Sequence, residues 1–102
     1  MARVSRRRYH RVDSVGWCFA QLGDGWEASV LNLSLGGMLL RLRRVLTPGS
    51  AYLIKLLFEG QLVVVQARVV RVGRSEDDCL AGMEFLSMSE EDAGRIRGYV
   101  HR

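Results

Sequence analysis

Arginine is concentrated at the N-terminus of this chain. Residues 1–11 contain no acidic side chain and hold five of the fifteen Lys and Arg residues: Arg3, Arg6, Arg7, Arg8 and Arg11. A guanidinium group can bind a phosphate through two parallel hydrogen bonds, and it can also pair with the O6 and N7 edge of guanine or stack on its face. The basic run therefore predicts an anionic partner and suits a guanine nucleotide. Taken alone, it fits a solvated tail or a nonspecific nucleic-acid or lipid contact at least as well.

A second polar motif, residues 32–37, contains an amide, a hydroxyl and two adjacent glycines. Alternate residues of an extended strand point to opposite faces. The inner face is expected to hold Leu31, Leu33 and Leu35, and the outer face Asn32, Ser34, Arg41 and Arg43. After Gly36 and Gly37 the apolar positions change parity, as expected if the glycines permit a bulge or a turn with positive φ.

Such a turn offers backbone N–H groups, a hydroxyl and an amide to a compact polar ligand. Gly36 and Gly37 have no side chain that would block close approach. The simpler interpretation is structural, with Asn32 and Ser34 only capping a turn that the glycines allow, and local chemistry alone favours it.

Six segments with strand character must position these motifs. They are rich in β-branched, aromatic or aliphatic residues and cover residues 12–22, 26–33, 38–42, 51–58, 61–72 and 79–86. Short polar loops join them, with hairpin signals at residues 23–25 and 59–60. Because no segment before Ser87 has helical periodicity, the pattern favours an antiparallel sheet that closes or nearly closes into a barrel. The apolar positions of segment 61–72 change parity after Val69, which predicts a bulge there.

The last segment has helical spacing instead. Its apolar positions are Ala93, Ile96, Tyr99 and Val100. Residues 87–90 fit a capping box, and acidic residues fill the first predicted turn. The predicted fold class is therefore all-β with one C-terminal helix.

The composition is that of a folded domain, with 48% apolar and 25% charged residues and a formal net charge of +4. The longest apolar run, residues 62–65, is far shorter than the ~20 residues of a membrane-spanning helix. No apolar segment follows the basic run as a secretory signal would require. We therefore expect a flexible basic arm at residues 1–11 and a single cytoplasmic domain at residues 12–102, with Cys18 and Cys79 as small apolar fillers.

Together the two motifs resemble those of the PilZ domain family. Arg7 and Arg11 match an Arg-x-x-x-Arg pattern, and residues 32–37 match (Asp/Asn)-x-Ser-x-x-Gly some twenty residues later. The similarity extends to the strand pattern, to residues 81–85 and to the terminal helix, so it covers almost the whole chain. It implies a six-stranded antiparallel β-barrel with a C-terminal α-helix that binds the bacterial second messenger cyclic di-GMP.

The resemblance also implies roles for individual residues. Arg7 and Arg11 match the arginines that grip phosphate and guanine. Asn32, Ser34 and Gly37 match the motif that holds the other side of the ligand on the barrel surface.

Three further arginines join the expected site. Arg6 precedes the paired arginines, at a position that in the family influences whether one ligand or a stacked pair is bound, and we expect two stacked molecules. Arg8 adds charge and a further contact. Arg71 occupies a position from which some relatives contact a guanine, although a solvated strand arginine is the simpler interpretation.

The expected function is a noncatalytic receptor whose arm closes over cyclic di-GMP and signals to an unidentified effector protein. One alternative is a basic β-barrel that binds single-stranded nucleic acid, but the aromatic residues are few and the charge is confined to the arm. Another is a PilZ-like protein adaptor without a ligand, which the intact motifs oppose. An enzyme is the least expected function, because the sequence pattern places no pair of carboxylates for acid–base work, contains no metal-ligand cluster and gives Ser34 no identifiable base. No metal or cofactor is expected.

Overall fold

The computed structural model describes residues 12–13 and 18–101, and only the strand backbone of residues 12 and 13. Its elements are seven strands and one helix: β1 (Val12–Asp13), β2 (Cys18–Leu22), β3 (Glu27–Leu33), β4 (Gly37–Leu42), β5 (Ala51–Phe58), β6 (Gln61–Ser75), β7 (Asp78–Met88) and α1 (Glu90–Val100).

Strands β2 to β7 form a closed antiparallel barrel. Hydrogen-bonded neighbours follow the order β3, β2, β5, β6, β7 and β4, and β4 pairs again with β3. The predicted six-stranded antiparallel β-barrel with a C-terminal α-helix is thus confirmed. The short strand β1 adds to β3, where Asp13 lies opposite Asn32.

The core follows from the alternation of apolar and polar residues along the strands. In β5, Ile54, Leu56 and Phe58 are fully buried, while the intervening residues point outward. Helix α1 packs on the barrel through Ile96, Tyr99 and Val100. The Tyr99 ring lies 4.9 Å from that of Phe58.

A side-chain hydrogen bond fastens the helix to the barrel. The backbone N–H of Val64 in β6 donates to the Asp92 carboxylate in the first turn of α1, at 3.1 Å. Among the described residues, no helix is long and apolar enough to cross a membrane.

The structure corrects one predicted boundary, and within the strand predicted for residues 12–22 it describes two strands, β1 and β2, which both pair with β3. The capping box predicted at residues 87–90 lies two residues too early, because β7 continues through Met88 and Ser89 is the N-cap. The Ser89 hydroxyl accepts a hydrogen bond from Asp92 N at 3.0 Å.

The two cysteines are buried and free, as expected of apolar fillers. Burial raises the pKa of the Cys18 thiol to about 11, so the thiol stays protonated and unreactive at neutral pH.

Candidate ligand-binding site

The turn between β3 and β4 is organised by the Ser34 hydroxyl. Its oxygen accepts hydrogen bonds from the N–H groups of Gly36 and Gly37 at 3.2 Å each, and it donates to Gly37 O at 3.2 Å. Ser34 N also donates to Gly37 O at 2.9 Å. Only 7% of Ser34 is exposed. The predicted outward orientation of Ser34 is therefore wrong, and its hydroxyl shapes the turn.

A bulge in β3 separately changes the expected inner face before the turn. The pairing of β3 with β4 shifts between Val30 and Asn32, which leaves Leu31 without a direct partner. An extra residue changes which side chains face the core. Leu33 is fully buried, whereas Leu31 and Leu35, expected on the same inner face, are only half-buried.

The glycines are required for a different reason from the one predicted. Among the described glycines, positive φ occurs at Gly25, Gly49 and Gly60 but not at Gly36 or Gly37. A Cβ atom at Gly37 would instead collide with a backbone carbonyl oxygen of β7. The turn and β7 therefore approach each other more closely than any other residue at position 37 would allow.

A hydrogen bond completes this contact. The N–H of Phe85 in β7 donates to Gly36 O at 3.0 Å. Together with the close packing at Gly37, this bond fixes the turn against the barrel wall. The two glycines thus lie beside a rigid strand, and their backbone is held in place.

A row of four residues runs across the outer surface from the turn. Asn32 in β3 lies opposite Leu39 in β4, Leu39 opposite Gly82 in β7, and Gly82 opposite Arg71 in β6. With neighbouring strands about 4.8 Å apart, Asn32 and Arg71 are about 14 Å apart across the sheet. Gly82 contributes no side chain to this row, and it is buried. We call this surface the ligand face, defined by Asn32, Leu39, Gly82 and Arg71.

A second bulge places Arg71 on that face. The predicted irregularity near Val69 is confirmed, because the pairing of β6 with β7 shifts between Val69 and Arg71. Val69 is buried, and strict alternation would point residue 71 to the core as well. The extra residue, Val70, turns Arg71 outward, where it is exposed.

The structure adds an ion pair that sequence reasoning missed. Glu84 lies opposite Gly37 on one side and opposite Arg68 on the other. Arg68 Nη2 donates to Glu84 Oε1 at 2.6 Å, and only 8% of Glu84 is exposed. A charged residue inside the otherwise apolar segment 81–85 was the available signal, since a buried carboxylate requires a partner.

Arg41 and Arg43, expected on the outer face, are exposed near the far end of β4. Both approach the Asp78 carboxylate, at 3.7 Å and 3.8 Å. They border a groove of about 840 Å³ that the half-exposed rings of Phe19 and Trp26 also line.

The neighbouring hairpin is held by Arg44. Its guanidinium group lies 5.7 Å from the ring centres of both Trp26 and Tyr52. Its hydrogen bond to Asp24 lowers the pKa of that carboxyl. Trp26 therefore already carries a cation on its ring.

The four arm arginines of the expected site, Arg6, Arg7, Arg8 and Arg11, lie outside the described residues. The described chain nevertheless begins one residue after Arg11. Val12 pairs with Leu33, and Asp13 pairs with Asn32. The two residues that follow Arg11 therefore pair with the strand that carries Asn32 of the second motif.

Among the residues that the structure describes, no group of three or more His, Cys, Asp or Glu side chains could hold a metal ion.

Comparisons with known proteins agree with this architecture. The family model of the PilZ domain matches residues 5–102. A comparison with curated proteins gives no match.

Three solved structures illustrate the likeness. YcgR from Escherichia coli, in complex with c-di-GMP, is 22% identical with a TM-score of 0.79, over 96% of this chain and 46% of YcgR. The Bacillus subtilis inhibitor of motility MotI is 20% identical with a TM-score of 0.78, over 97% of this chain and 51% of MotI. The K. pneumonia MrkH–c-di-GMP complex is 18% identical with a TM-score of 0.75, over 96% of this chain and 51% of MrkH. The chain thus spans about half of each protein, and the likeness establishes a shared fold.

Proposed function

The chain belongs to the PilZ domain family, and we propose that it is a noncatalytic cyclic di-GMP receptor whose arginine arm closes over the ligand. The observation that carries the proposal is the pairing of β1 with β3. Val12 lies opposite Leu33 and Asp13 opposite Asn32, so the two residues that follow Arg11 pair with the strand that carries Asn32 of the ligand face. We propose that the two sequence motifs, about twenty residues apart, meet at one place on the barrel.

The distribution of charge supports an arm that binds the anion. Residues 12–13 and 18–101 contain nine Lys and Arg residues against all eleven Asp and Glu residues of the chain. The barrel is thus slightly acidic, and the net positive charge comes from the ends of the chain. A dianionic ligand on the barrel surface needs the arm arginines, of which Arg7 and Arg11 form the clamp and Arg8 adds a contact.

The barrel supplies the fixed half of the site. Asn32 offers an amide, and the Ser34 hydroxyl holds Gly36 and Gly37 in a turn with little steric bulk. Arg71 stands at the opposite end of the ligand face. Charge-assisted hydrogen bonds contribute roughly 1.5 to 3 kcal/mol each, so three or four of them support the roughly 8 kcal/mol of micromolar affinity after the cost of ordering the arm.

Arm closure changes the protein surface, which is how the domain would signal to an effector protein. Arg6 can stack on a second guanine, so we propose two stacked ligand molecules per domain. Three of the similar solved structures, YcgR, its PilZ domain and MrkH, are complexes with c-di-GMP, which supports the choice of ligand.

Isothermal titration calorimetry with cyclic di-GMP tests the proposal directly. We expect binding with a dissociation constant of tens of micromolar or tighter, at a stoichiometry near two that falls to one in Arg6→Ala. Folded protein that gives no heat at these concentrations would rule out the receptor function.

The arm variants Arg7→Ala and Arg11→Ala should abolish binding and leave the Tm of the free protein nearly unchanged, because arm residues do not carry the barrel core. Arg97→Ala, an exposed arginine of α1, is the matched control and should bind like the parent. If either arm variant unfolded the domain, the arm would be structural and the proposed closure would be wrong.

Binding of single-stranded nucleic acid is the competing function. The acidic balance of the described barrel and its few exposed aromatic side chains argue against it. An oligonucleotide gel shift at physiological salt separates the two functions, and we expect no shift.

A further inference from the structure

We infer that Arg68, held in place by Glu84, reads a guanine base of the bound ligand and sets the preference of the site for guanine over adenine. The inference rests on the proposed function, since it needs a purine dinucleotide on the ligand face. It concerns a residue pair that belongs to neither sequence motif.

The position of the pair follows from the strand register. Glu84 lies between Gly37 of the turn and Arg68 of β6, one step along the barrel from the row that joins Gly82 to Arg71. Because Val70 is an extra residue, Arg68 and Arg71 point outward on the same strand. Arg68 therefore borders the ligand face at the side where the glycine turn lies.

The guanidinium group of Arg68 retains free donors. Its side chain is 47% exposed, and its contact with Glu84 is a hydrogen bond from Nη2 to Oε1 at 2.6 Å. Nη2 belongs to both two-donor edges of a guanidinium group, one shared with Nε and one with Nη1. Whichever Nη2 hydrogen Glu84 accepts, the other edge keeps two parallel N–H groups.

Those two donors match guanine and reject adenine. Guanine presents two acceptors, O6 and N7, on the edge that a bidentate arginine reads. Adenine presents N7 as an acceptor but an N6 amino group as a donor, which would face an N–H of Arg68. A two-donor edge at this position therefore favours the guanine dinucleotide.

The Glu84 carboxylate favours a contact between Arg68 and a base of the ligand over a contact with a phosphate. It neutralises Arg68, so the pair has donors without net charge, which suits the uncharged edge of a base better than an anionic phosphate. The carboxylate is 91% buried at the side-chain level and bonded to Arg68, so it limits the directions in which the guanidinium can point. Glu84 is thus a positioning residue and Arg68 the residue that contacts the ligand.

Calorimetry on Arg68→Lys, with cyclic di-GMP and cyclic di-AMP as ligands, tests the inference. Lysine keeps a cation beside Glu84, so the fold should survive, but it lacks the planar two-donor edge. We expect affinity for cyclic di-GMP to fall about tenfold or more and affinity for cyclic di-AMP to change less than about twofold. The salt dependence of cyclic di-GMP binding should stay that of the parent, because no phosphate contact is lost. Arg74→Lys, an exposed arginine of the same strand, should change neither affinity.

A second pair of variants covers the case in which Arg68→Lys loses stability. Glu84→Gln keeps the shape of the side chain without its charge and should lower the preference for guanine by a smaller factor. The double variant Arg68→Gln with Glu84→Gln leaves no unpaired buried charge and should lower the preference for guanine at least as far as Arg68→Lys does.

The outcomes separate this inference from the proposed function. A parent protein that does not bind cyclic di-GMP would refute both. A parent that binds, with variants that keep its full preference for guanine, would overturn only the role of Arg68. Equal losses for both ligands, or a reduced salt dependence, would assign Arg68 to a phosphate or to the fold and would overturn the base-reading role as well.

Discussion

Two outer surfaces of the same barrel differ in the kinds of side chain that point outward. The ligand face crosses β3, β4, β7 and β6 with Asn32, a glycine and Arg71 among its outward residues. On the other side, Phe19, Leu57 and Leu62 face outward in a row across β2, β5 and β6, with 50%, 49% and 54% of each residue exposed.

The strand pairing differs as well. The pairs β2–β5 and β5–β6 keep one continuous register, whereas the pairs β3–β4 and β6–β7 each contain a shift. Regular pairing gives a flat surface of alternating side chains. Bulges place residues that alternation would bury, such as Arg71, at the surface. The site thus arises where the regular sheet is interrupted.

The largest expected effect comes from adding a side chain at Gly37, where the turn packs directly against β7. Gly37→Ala places a Cβ against the Met83 carbonyl oxygen, and β4 or β7 must move to relieve it. We expect a loss of about 3 kcal/mol in the free energy of unfolding, measured by urea denaturation. Gly73→Ala is the control, since a Cβ there meets no atom within 4 Å. Equal losses in the two variants would mean that the close approach at Gly37 is not a constraint.

Removing the Ser34 hydroxyl should have a smaller effect on stability. Ser34→Ala leaves the N–H groups of Gly36 and Gly37 without the acceptor they have in the turn. We expect a loss of about 1 kcal/mol in the free energy of unfolding, with weaker cyclic di-GMP binding in calorimetry. Ser29→Ala, a half-buried serine of β3, should change neither quantity. Unchanged stability in Ser34→Ala would show that the hydroxyl does not organise the turn.

The smallest expected change in the free energy of unfolding comes from a pair of substitutions, one on each surface. Leu39→Gln lies in the ligand face, and Leu57→Gln lies in the apolar row of the opposite surface. Both are outward positions, so each should change the free energy of unfolding by about 0.5 kcal/mol or less. Calorimetry should show a several-fold loss of cyclic di-GMP affinity for Leu39→Gln and none for Leu57→Gln. A loss from Leu57→Gln alone would place the ligand on the opposite surface.

Much of the fold could be predicted because it depends on neighbours in the chain. The period-two alternation of apolar residues marked the six barrel strands, and the change of parity after Val69 marked the bulge that exposes Arg71. The terminal helix was recognisable from its spacing, although β7 delays its first residue to Glu90.

The candidate site was less predictable, because its details depend on contacts between distant segments. The bulge at Leu31 removed that residue from the expected inner face, and the turn buried Ser34 through its hydrogen bonds to Gly36 and Gly37. The ion pair of Arg68 with Glu84 joins residues sixteen positions apart on two strands. Neither residue belongs to the arginine pattern or to the motif at residues 32–37. The register between β6 and β7 is what makes them neighbours.

The sequence by itself determined the strand alternation, the buried set that follows from it, and the chemical types available at the surface, since these depend on side chains and local spacing. The tertiary structure decided which of those side chains become neighbours. Strand pairing brought the start of β1 beside Asn32 and laid the glycine turn against β7. It also joined Arg68 to Glu84. These contacts depend on long-range register, and a single inserted residue in a strand changes the register for everything beyond it.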